Sequence, residues 1–125
     1  AARQADIISC ATLSEEPLIQ GSWLRPGTHL DLVGSFKPNM VEAAADCFIG
    51  NEVFVDTDEA PTKSGDLLKA FDTGRFSASD IRADLHALCR GQHPGRSNDQ
   101  AITVFKAVGS ALEDLTAAVL VYKAG

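Results

Sequence analysis

Three stretches of the chain carry residues whose types and order could serve a ligand. Cys10-Ala11-Thr12-Leu13-Ser14 and Val33-Gly34-Ser35-Phe36-Lys37-Pro38 each pass from apolar residues to small or hydroxylated ones. Small side chains let a flat ring approach the backbone, and open α/β sheets bind ligands beyond the carboxyl ends of their strands. By spacing alone an ordinary strand-to-loop transition is the commoner explanation, because such ends occur in any α/β fold. The third stretch, residues 95–109, runs from polar to β-prone to helical sequence. A helix amino terminus near Ala107 would offer free backbone N–H groups to an electron-rich ligand, though a packing junction explains the same pattern.

Other constellations are weaker. His86-x-x-Cys89-x-x-x-His93 resembles a metal motif. Zinc takes four ligands and no fourth is at hand, so no metal site is expected. His29 lies within a strand and reads as structural. There is no G-x-S-x-G, P-loop or H-E-x-x-H, and Gly91, Gly95 and Gly109 are too dispersed to form G-x-G-x-x-G. No grip on a pyrophosphate is therefore expected from a glycine loop, and Arg25, Lys37 and Arg96 are the cations that could replace it.

The elements that must position these residues follow from periodicity. Residues 6–12, 28–34 and 52–56 are apolar or β-prone runs bounded by polar or turn residues, and predict three strands. Helices are predicted over residues 41–48, 65–71, 79–90 and 107–122. In the third of these, Ile81, Leu85, Leu88 and Cys89 share a face; in the fourth, Val108, Leu112, Leu115, Val119 and Tyr122 form a stripe. Strands alternating with helices imply a parallel sheet of α/β class.

Composition sets outer bounds. The 125 residues suit one domain, with 45% hydrophobic and 22% charged residues, an ordinary globular balance. A net charge of −6 and scattered Lys and Arg argue against nucleic acid as a partner. No apolar run reaches the roughly 18 residues that span a membrane, and no signal peptide is evident. Cys10, Cys47 and Cys89 are odd in number and widely spaced, which suggests thiols in a reducing cytoplasm. The opening Ala1-Ala2-Arg3-Gln4-Ala5-Asp6 reads like the tail of a helix, as in a chain cut from something longer. Removal of an initiator Met would look the same.

Four segments in order resemble the ornithine cyclodeaminase/mu-crystallin family: residues 5–12, residues 23–34, Gly65-Asp66-Leu67-Leu68, and Gly95-Arg96-Ser97 followed by residues 103–114. The resemblance covers essentially the whole chain. It implies a partial Rossmann fold, the second half of an NAD(P)-binding domain plus the family's C-terminal helix, as one domain over residues 1–125. It further implies NAD(P) as cofactor and amino acids or cyclic imines as substrates. By the same resemblance Thr12, Asp31, Val33, Gly34 and Ala107 contact the cofactor, and Ser35 and Val108 lie close to the substrate. The position after Val33-Gly34-Ser35 is a catalytic Asp in ornithine cyclodeaminases. Here it is Phe36, which cannot transfer a proton, and the stretch is more like pyrroline-2-carboxylate or ketimine reductases. No catalytic residue is therefore assigned to this chain.

In the complete fold the strand order is 3-2-1-4-5-6. The first strand here matches strand 4, whose neighbour, strand 1, has no counterpart in this sequence. An exposed edge over residues 7–11 is the expected result, and it would recruit a second copy to form a homodimer. Three functional readings stay open: part of a larger NAD(P) enzyme and inactive alone, a non-catalytic assembly module, or a small self-sufficient reductase.

Overall fold

The computed structural model describes all 125 residues. Its centre is a five-stranded, wholly parallel sheet. The strands are β1 (Ile7–Cys10), β2 (His29–Leu32), β3 (Glu52–Val55), β4 (Ile81–Asp84) and β5 (Thr103–Lys106), in the order β1-β2-β5-β3-β4. The α/β class and parallel sheet are as expected, but the expected three strands are five. The last strand also enters between the second and third.

Register explains the core. Ile8, Leu30, Val104 and Val53 stand in one row across the sheet, and Cys10, Leu32, Lys106 and Val55 in the next row on the same face. All eight are buried. Period-two alternation puts these residues on one side of the pleat. The side is covered by α2 (Gly65–Asp72), through Leu67 and Ala70, and by a 3-10 turn at Ala45–Cys47. A four-residue turn of helix, α1 (Ala60–Lys63), leads into α2.

Three helix boundaries differ from the sequence reading. Residues 41–48 hold only the 3-10 turn, because their backbone is engaged elsewhere: Glu42 O accepts from Leu18 N and Ile19 N, and Ala44 N donates to Ile19 O. Residues 79–90 divide. Ile81 pairs with Val53 in the sheet, and helix starts only at α3 (Leu85–Cys89), where the Asp84 carboxylate caps Ala87 N. Ile81 and Ala83 fit a strand period as well as Ile81 and Leu85 fit a helical one, and pairing decided between them. The last helix, α4 (Ala111–Ala124), begins four residues later than expected. Gly109 has φ +83°, outside helical space, and Ser110 with Glu113 forms a capping box. No helix is long and apolar enough to cross a membrane.

Candidate functional site

The carboxyl ends of β1, β2, β5 and β3 share one edge, and most of the residues singled out above gather there. Thr12 and Gly34 follow β1 and β2 and are joined by a residue that sequence reading passed over. The buried Glu42 carboxylate accepts from Thr12 N at 2.6 Å and Thr12 Oγ1 at 2.9 Å through Oε1, and from Gly34 N at 2.8 Å through Oε2. Glycine is required at 34: a Cβ would lie 1.9 Å from the Thr12 carbonyl oxygen.

The loop after β5 is fixed in the same way. Ala107 N donates to Leu32 O at 2.9 Å, and the Asp56 carboxylate accepts from Val108 N at 2.8 Å and Gly109 N at 2.7 Å. This corrects the expectation of a helix amino terminus near Ala107 with free N–H groups. Those donors are already taken by the protein.

Two other residues sit away from the edge. Asp31 projects to the opposite face of the sheet, where its Oδ2 accepts from Ser9 Oγ at 2.7 Å. Ser35 is fully buried; its hydroxyl donates to Met40 O at 2.7 Å and accepts from Asp66 N at 3.3 Å. Ser35 is therefore closed to direct ligand contact. Facing solvent at the edge are apolar side chains instead: Leu13, 71% exposed, Val33, 43%, and Phe36, 40%, with the Lys37 ammonium 5.6 Å from the Phe36 ring centre.

Beneath this edge lies a buried charge cluster. Lys106 occupies a core position between Leu32 and Val55, and its Nζ donates to Leu32 O at 3.0 Å. The Asp66 carboxylate lies 3.6 Å away, a charge contact beyond hydrogen-bond range, and both side chains are fully buried. The other oxygen, Asp66 Oδ1, accepts from Glu42 N and Ala43 N. Burial raises the Asp66 carboxyl above its ordinary value against the pull of these two N–H groups and of Lys106. Burial likewise lowers the Lys106 ammonium, against Asp66 and Glu42. A lysine at an inward position of the β-prone run Thr103-Val104-Phe105-Lys106 was the one sequence signal for this cluster.

The remaining candidates serve the framework. Arg25 bridges Gln4 O and Asp6 near the amino ends of the strands. Arg96 donates to Gly27 O, Ala101 O and Thr103 Oγ1. Neither lies at the carboxyl edge, so of the three cations named above only Lys37 is near the candidate site. His29 Nδ1 lies 2.7 Å from Thr103 Oγ1, and burial lowers the ring below its ordinary value. His93 packs edge-on against Phe54 and accepts from Gly95 N, while Cys89 is exposed. Burial pushes the Cys47 thiol up to about 12 and also raises Cys10, which removes both from nucleophilic duty near neutral pH.

The chain is similar to known proteins over nearly its whole length. Residues 1–124 match the model of the ornithine cyclodeaminase/mu-crystallin family. The Delta(1)-pyrroline-2-carboxylate reductase of Paracoccus denitrificans is 41% identical, over 90% of this chain and 36% of the relative. The ketimine reductase mu-crystallin of Mus musculus is 38% identical, over 94% of this chain and 35% of its own length. The chain thus spans little more than a third of these relatives. Among solved structures, Thermococcus litoralis Delta(1)-pyrroline-2-carboxylate reductase, in complex with NADH and L-proline, superimposes with a TM-score of 0.90 at 33% identity. That match covers 98% of this chain and 38% of the other.

Proposed function

The chain belongs to the ornithine cyclodeaminase/mu-crystallin family, and from that premise we propose that it supplies the nicotinamide side of an NAD(P)H-dependent reductase of cyclic imines. The observation that carries this reading is the apolar, small-residue edge formed around Thr12, Gly34 and Phe36. A flat ring can lie against it, since Leu13, Val33 and Phe36 present apolar surface to solvent there and the Glu42 charge is consumed by protein donors. When bound, the cofactor supplies the hydride, and the protein supplies position and electrostatics.

In this reading Thr12, Val33, Gly34 and Ala107 hold the cofactor end, with Asp31 behind them on the other face. Val108 borders the substrate, and the buried Ser35 supports the loop beneath that side. Leu13, Val33 and Phe36 exclude water from the reacting carbon. Phe36 neither gives nor takes a proton, so proton delivery to the imine nitrogen falls to groups outside this chain, and ornithine deamination is disfavoured. The chain has no arginine at this edge to hold phosphates. Alone it is inactive and has little affinity for dinucleotide, and it represents the second half of a cofactor domain.

As partner we propose a second copy of the chain, joined through the open edge of β1. The three free cysteines suit a reducing compartment such as the cytoplasm. An assembly module without catalysis is the second reading, favoured by that same open edge.

The decisive experiment replaces the matching segment of the Thermococcus litoralis reductase with residues 1–124. The graft is expected to reduce Δ1-pyrroline-2-carboxylate with NADH and to leave ornithine untouched, while the isolated chain turns over neither. Ornithine deamination by the graft would overturn the proposal. A soluble, folded graft with no reductase activity would favour the assembly reading.

A further inference from the structure

Glu42 is sealed from solvent, yet it stands where two strand ends touch. One carboxylate oxygen takes both donors of Thr12 and the other takes Gly34 N. The loops are so close that a Cβ on Gly34 would meet the Glu42 carboxylate at 2.4 Å and the Thr12 nitrogen at 2.4 Å. The geometry selects a carboxylate on chemical grounds, because three converging donors need two oxygens with no donor of their own. A carboxamide would turn its NH2 against one of the N–H groups. Aspartate is one methylene shorter and cannot span both loops.

The glutamate is itself held in place. Leu18 N and Ile19 N donate to its carbonyl, and its own N donates to Asp66 Oδ1, which Lys106 faces from the centre of the sheet. Contacts therefore run without a break from β5 through α2 to the loops at the edge. No ligand can reach Glu42, so whatever it contributes to a reaction it contributes through Thr12 and Gly34.

We infer that Glu42 is a positioning residue, whose carboxylate sets the spacing of the Thr12 and Gly34 backbones against which the nicotinamide end of the cofactor lies. This rests on the cofactor reading of the edge. A rigid support behind the contacting groups is what holds such a site to the fraction of an ångström that hydride transfer needs.

Amide hydrogen exchange on the full chain tests the clamp directly. In Glu42→Gln the Thr12 and Gly34 amides are expected to exchange about tenfold faster or more, the loss of a charge-assisted hydrogen bond, while Leu30 and Val104 in mid-sheet keep their protection. If the glutamine variant does not fold, Glu42→Asp gives the same measurement. A uniform rise across the sheet, or no rise, overturns the inference. The same substitution in the reductase graft is expected to raise the KM for NADH about tenfold more than that for the imine, measured below the lowered Tm of the variant. Equal changes in both KM values would reduce Glu42 to a stabilising role and overturn it too. An unmodified graft without reductase activity removes the cofactor reading instead, and a localised exchange pattern would then still establish the clamp.

Discussion

Lys106 shows how a single residue constrains this protein. Its register puts it in a row with Leu32 and Val55 on the core face, where a charge is tolerated only with partners. It has the Leu32 carbonyl and the Asp66 carboxylate. A buried pair of this kind adds little net stability, but removing one partner strands the other charge. Lys106→Met is therefore expected to destabilise the chain by about 3–5 kcal/mol. Lys106→Met combined with Asp66→Asn is expected to lose distinctly less, because the asparagine oxygen still accepts from Glu42 N and Ala43 N and no charge is left unpaired. Urea unfolding of the two variants decides, and a double variant no more stable than the single one would contradict this account.

Among the elements, α4 and β2 are opposites. α4 has a well-formed capping box but not one buried residue; Leu112, Leu115, Leu120, Val121 and Tyr122 all face solvent. β2 carries Leu30 and Leu32, both fully buried. Deleting residues 111–125 is expected to shift stability by less than about 1 kcal/mol, as for changes that touch no packed feature. Leu30→Ala is expected to cost about 2–5 kcal/mol. Circular dichroism melts check both, and a collapse of the sheet on deleting α4 would refute the first. The apolar stripe of this helix was legible in the sequence, but its start was not, since Ala107, Val108 and Gly109 are held by Leu32 and Asp56 across the sheet.

At the scale of the whole molecule the feature to explain is the asymmetry of the sheet. β5, β2 and β3 are paired on both sides, whereas the end strands β1 and β4 are paired on one side only, and of these β1 carries the strongly exposed apolar residue, Ile7 at 69%. An unpaired apolar edge recruits another strand. The proposed homodimer predicts twice the chain mass in light scattering, and Ile7→Lys, which charges the edge without touching the core, is expected to give a monomer of unchanged fold. A monomeric unmodified chain would rule out the β1 edge as a self-association surface.

What the sequence determined by itself is what depends on neighbours along the chain. The strand-forming runs around Ile7-Ile8-Ser9-Cys10 and His29-Leu30-Asp31-Leu32, the helix at residues 65–71, the small residues at the strand ends and the family likeness all follow from local order, whereas the burial of β1 on one face only does not. Tertiary structure alone decided the rest. Residues 81–84 became a strand because Val53 was there to pair with them, and residues 103–106 took a central place because the crossover brought them between β2 and β3. The Glu42, Asp66 and Lys106 cluster joins residues far apart in sequence, and nothing local marks them as partners. Folding removes water from all three, which opposes their charges, and only the donors, acceptors and opposite charge that folding sets against one another offset that cost.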